Sequence, residues 1–62
     1  MKDQDILRTA RELIKFYGGA ASAEALHRAA EAMKEGKPGI AAVWEQVGHA
    51  VEGELRGRHP GN

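Results

Sequence analysis

Glu24, His27 and Glu31 have the spacing most suggestive of chemistry. A Glu-x-x-His pair is the ligand motif of di-iron and di-manganese carboxylate bundles, where two such motifs and two further glutamates project into one core. Here the motif occurs once. It lies on the polar side of a helical segment, opposite Leu26 and Met33, so ligation would need that side to face inward in an oligomer. The ordinary reading is a solvated face, with Glu24 and Arg28 in the favourable i,i+4 order. His49, flanked by Glu45 and Glu52, repeats the situation on a later segment with the same ordinary reading. No metal and no cofactor are expected.

Nucleophilic chemistry has little to draw on. The chain holds one Ser (Ser22), one Thr (Thr9) and no Cys. Ser22 reads as a helix N-cap, and Thr9 falls on the flank of an amphipathic helix. Gly18-Gly19 lacks the preceding strand and the following Lys-Ser/Thr of a phosphate loop. A chain this short also has little volume for a substrate pocket of ~300 Å³ or more. A binding role is therefore expected rather than an enzymatic one.

Phosphate contact is the rival reading. Arg8, Arg11 and Lys15 align on one helix face, and Arg56 and Arg58 follow near the C-terminus. Glu12 stands beside the stripe, and a stripe of this kind is ordinarily a solvated face. The segment that would serve as recognition helix presents Glu45, Gln46, His49 and Glu52, whose acids repel phosphate. Nine Lys and Arg balance nine Asp and Glu, so the overall basic excess of a dedicated nucleic-acid binder is missing.

Three periodic segments must position these residues. Over about 5–17, Ile6, Ala10, Leu13, Ile14 and Tyr17 share one arc with Leu7 at its edge, and Gly18-Gly19 supplies the stop. Over about 22–35, Leu26, Met33, Ala25, Ala29, Ala30 and Ala32 cover one side, an alanine ridge that lets another backbone come close. Gly36 ends it. Over about 39–55, opened by Pro38 near the first turn, Ile40, Val43, Trp44, Val47, Val51 and Leu55 fall in a narrow arc. Gly48 stands at its edge, where a missing side chain would let another helix approach. Gly53 weakens the last turn, and fraying is expected between Gly53 and Gly57. The expected architecture is all-α: a small three-helix bundle, up-down-up or crossed as in a helix-turn-helix, in a single domain over 1–55 with a flexible tail over 56–62.

Size shapes the functional expectation. Sixty-two residues, 42% of them hydrophobic and many of those alanine, bury only about 60% of the surface their unfolded chain exposes. With no disulfide or metal, oligomerisation is the common reinforcement, and a homodimer is favoured. Phe16 points well away from the first apolar arc. Either it folds back over Gly18-Gly19 to cap the bundle, or it joins an exposed patch that marks a partner surface. Phe16 with Ala25, Ala29 and Ala32 forms the candidate partner interface, while Trp44 is expected in the intramolecular core. No run of ~20 apolar residues is present and the N-terminus lacks a signal-peptide pattern, so a cytoplasmic location is expected.

The segments Asp5-Ile6-Leu7-Arg8-Thr9-Ala10, Tyr17-Gly18, Glu24-Ala25, Arg28-Ala29, Ala42-Val43-Trp44 and Ala50-Val51-Glu52 carry a resemblance. Across most of residues 5–55 the chain resembles a group of short, uncharacterised bacterial helical proteins. The shared residues are chiefly helix-packing ones. The resemblance implies an all-helical bacterial protein and brings no activity, cofactor or catalytic residue. The Lys37-Pro38-Gly39 turn departs from the acidic turn of that group.

Overall fold

The apolar spacing found over 5–17 produces α1, Asp3–Tyr17, with Ile6, Ala10, Leu13 and Ile14 buried. A computed structural model describes residues 3–57, with side chains from Asp5 onward. Gly18 takes a left-handed φ of 57°, open to glycine at no steric cost. The chain then continues through a single 3-10 turn, Gly18–Ala20, into α2, Ala21–Lys34. The stop expected at Gly18-Gly19 is thus a bend. Helical backbone runs from Asp3 to Lys34, and one further helix, α3 (Pro38–Gly57), follows. The described residues are otherwise a short turn and contain no strand.

The α2–α3 turn is built as its composition demands. Gly36 has φ 73°, its N–H donates to Met33 O at 3.0 Å, and the Lys37 N–H donates to Ala32 O at 2.9 Å. That pair of bonds is a Schellman ending, which satisfies carbonyls the helix would leave free. Pro38 opens α3, where its missing N–H costs nothing, and the Lys37 carbonyl accepts from the Ala41 N–H at 3.0 Å.

Ser22 does not cap α2. It lies inside the helix, and the N-cap position is Ala20, with no side-chain bond. The preceding 3-10 turn supplies carbonyls in place of a cap: the Ala21 N–H donates to Gly18 O. Ser22 Oγ instead donates to Glu52 Oε2 at 3.4 Å. α3 also runs past the expected fraying point, through Gly53 to Gly57. Residues 56 and 57 are therefore helical, and the remainder of the expected tail lies outside the described residues.

α2 and α3 pack antiparallel, as Ser22 beside Glu52 and Ala25 beside Gly48 require. Ala21, Ala25, Ala29 and Ala32 are buried in this contact, while Leu26 and Met33 stay on its flank, exposed. This reverses part of the expected wheel. Small side chains take the seam because they allow close helix approach, and bulky neighbours are displaced to the edge. Gly48 is buried, but a Cβ there would meet Ala25 Cβ at 3.6 Å and Leu26 Cδ2 at 3.9 Å. Those are ordinary contacts, so the approach does not depend on glycine.

α1 lies obliquely over α3. Thr9 shares a groove with Gly39, Ile40 and Val43, whereas Arg11, on the opposite flank of α1, bonds Glu54. Positions 43 and 54 are about 16 Å apart along a helix, so the two flanks of α1 reach different ends of α3. The main core joins Ile6, Ala10, Leu13 and Ile14 to Ala21, Ala25, Val47 and Val51. A second, alanine-lined core comprises Ala29, Ala32 and Ala41, and Trp44 packs against both.

Candidate functional site

Trp44 is only half-buried, although its place in the apolar arc puts it in the core by sequence. One side of its ring packs into the two cores. The Arg28 guanidinium lies 5.0 Å from the ring centroid, in the range of a cation–π contact. Arg28 Nε donates to Glu24 Oε2 at 2.7 Å, and Arg28 Nη2 donates to the Tyr17 hydroxyl at 3.4 Å. The hydrogen bond to Glu24 raises the Arg28 pKa, desolvation opposes it, and the Tyr17 bond adds to the rise. Tyr17, expected in the core arc, is thus exposed, with its hydroxyl turned to Arg28.

Beside Trp44 opens a groove of about 310 Å³ lined by Thr9, Gly39, Ile40, Val43 and Val47 together with the Trp44 ring. It reaches the size expected to be out of range for so short a chain. Its lining holds no acid, base or free nucleophile: the one hydroxyl, Thr9 Oγ1, donates to Asp5 O at 2.8 Å. The groove can receive an apolar group and offers no chemistry to act on it.

The other candidate residues are dispersed. Glu24 is held by Arg28, Glu31 lies 3.8 Å from Lys34 Nζ, and His27 is exposed. Among the described residues, no three His, Asp or Glu side chains come together as a metal site. Arg8, Arg11 and Lys15 do gather, with Leu7 and Glu12, around an open depression. Arg11 Nε is bonded there to Glu54 at 2.9 Å, so part of its charge is neutralised. Arg58 lies outside the described residues.

Three of the four residues assigned to a partner surface are corrected. Ala25, Ala29 and Ala32 are buried within the chain, under α3. The ridge does let another backbone approach closely, but that backbone is the chain's own. Phe16 stays out at 75% exposure and does not fold over the bend; Leu26, Met33 and Ile40 are 55%, 58% and 49% exposed. Leu26, Met33 and Ile40 were missed as surface residues. The signal was present in α2, which carries two stripes: 21, 25, 29 and 32 face inward, while 23, 26, 30 and 33 face outward.

Over the described residues the fold is all-helical, with large apolar side chains left on its surface. Comparison with protein-family models, curated proteins and solved structures returns no match. None of the helices over the described residues is long and apolar enough to cross a membrane.

Proposed function

We propose that this protein is a small protein–protein interaction module that self-associates through its helix faces. In this reading its three helical segments form a bundle completed by a second copy. The observation that carries it is the exposure of Phe16, Leu26, Met33 and Ile40. With Leu7 and Tyr17 they make six large apolar side chains left in water on so small a chain, and of these Leu26 and Met33 share one face of α2, the kind of apolar surface that commonly marks association. The role is binding rather than catalysis, in keeping with a groove that lacks acid, base and nucleophile, and its setting is the cytoplasm of a bacterial cell. Light scattering across a dilution series tests the reading. A mass of twice 6.7 kDa at high concentration, falling on dilution, is expected; a fixed 6.7 kDa species at millimolar concentration refutes it.

A second reading, a weak nucleic-acid-binding regulator, draws on the gathering of Arg8, Arg11 and Lys15 around one depression. Phosphate contacts give affinity that falls steeply with salt. Binding to a DNA or RNA duplex at low salt, lost on changing the three residues to Ala, is its expected signature. No binding at low salt removes it.

A further inference from the structure

Ala23, Leu26, Ala30 and Met33 all face outward on α2, and their spacing of three, four and three residues is that of the a and d positions of a coiled-coil seam. The stripe has two rims of different chemistry. On one side α3 brings Glu45, His49 and Glu52 alongside Leu26 and Ser22, around a shallow groove of about 230 Å³. Ser22 Oγ to Glu52 Oε2 at 3.4 Å fixes the level of Glu52 at Ser22. Glu45, two turns earlier on the antiparallel α3, then stands near the level of Ala29. On the other side, His27 and Lys34 occupy the positions that follow d in the heptad, and both are exposed.

We propose that a second copy of this chain docks on this stripe, the two α2 helices lying parallel about a two-fold axis. The proposal rests on the self-association reading and names its surface and geometry. The opposite charges of Glu45 and Lys34 select both the occupant and the direction. In a parallel pair each g-side rim faces the partner's next e residue, so Glu52 at the level of Ser22 meets the partner's His27. Glu45 at the level of Ala29 likewise meets the partner's Lys34, and the two-fold axis repeats both pairs. An antiparallel pair would set each rim against its own kind, with Glu45, and Glu52 partly offset by Arg56 at 3.9 Å, facing their counterparts and Lys34 facing Lys34, an arrangement that like charge disfavours. Ala23 and Ala30 let the two backbones approach while Leu26 and Met33 fill the spaces between them.

The test combines mass with cross-linking in the full chain. Light scattering of the wild type is expected to give the dimer mass, and Leu26→Lys with Met33→Lys to return it to the monomer at the same concentration, with the helical circular dichroism kept. Ala30→Glu is expected to do the same at an exposed position. Ala23→Cys and Ala30→Cys, each alone, are expected to form an interchain disulfide under mild oxidation, because a parallel two-fold axis brings each residue to its own copy. Lys34→Glu is expected to weaken dimerisation by about tenfold, and adding Glu45→Lys to restore it. A monomeric wild type overturns this proposal and the self-association reading together. A dimeric wild type whose Leu26/Met33 and Ala30→Glu variants stay dimeric overturns only the placement on α2. Cross-linking at one cysteine position or neither, in a protein that remains dimeric, overturns the parallel arrangement.

Discussion

The Arg28 guanidinium sits 5.0 Å above the Trp44 ring while its Nε donates to Glu24 at 2.7 Å. One side chain thereby ties α2 to α3 at the point where the two small cores meet. The cation covers the exposed side of an aromatic ring that the core only half encloses.

Arg28→Ala should lower stability by about 0.5–1.5 kcal/mol, the combined order of an exposed cation–π contact and a partly exposed i,i+4 pair. Arg28→Lys should recover part of this, because an ammonium keeps the charge but not the flat stacking. Urea unfolding followed by circular dichroism is the measurement. The Arg28 contribution should also be flat with pH. The folded pKa is raised, so the stability it brings is fully present below the group's ordinary value and is lost only as pH climbs through the folded value. Between about pH 5 and 9 the difference between wild type and Arg28→Ala should not change, since both limits lie far below the guanidinium range.

The glycines should divide by backbone geometry. Gly48→Ala and Gly53→Ala should each stabilise by about 0.5–1 kcal/mol, since both lie inside α3 and glycine costs that much in a helix interior. The Cβ at position 48 finds neighbours at 3.6 and 3.9 Å, and that at 53 finds open space. Gly18→Ala and Gly36→Ala should each destabilise by about 1–2 kcal/mol, because their φ values of 57° and 73° are costly for any residue with a Cβ. Thermal melts of the four variants read out the sign directly.

The two alanine stripes of α2 should respond differently to bulk. Ala25→Leu and Ala29→Leu place three extra carbons in the α2–α3 seam and should cost about 1–3 kcal/mol. Ala30→Leu, on the outer face, should leave the fold of the single chain intact and, if that alanine lets two copies approach closely, weaken their association. Paired melts and light scattering separate the two effects.

Leu13→Ala should destabilise by about 2–4 kcal/mol, since it removes a side chain buried in the main core that residues of α1, α2 and α3 share. In so small a domain that loss should abolish the cooperative transition or bring it near room temperature. Phe16→Ser should leave the transition of the monomer within about 0.5 kcal/mol of wild type, as expected for a side chain that is three-quarters exposed.

All-helical architecture could be read directly from periodicity. Ile6, Ala10, Leu13 and Ile14 recur at helical spacing and are buried together, and Gly36 ends α2 with the left-handed turn its lack of a Cβ permits. These are local properties, set by one residue and its neighbours within a turn or two. What local pattern could not supply was the distance between helices. An alanine ridge announces that a backbone will come close, but α3 and an outside partner would bury it equally well, and only tertiary packing assigns Ala25, Ala29 and Ala32 to α3. Once α3 is drawn in that tightly, Leu26 and Met33 no longer fit beneath it and turn outward. Ser22 loses its capping role for a similar reason, because the 3-10 bend makes α2 a continuation of α1. Leu26 and Met33 are therefore on the surface because close packing displaced them, and displacement depends on which helices touch, which no single segment of the sequence contains.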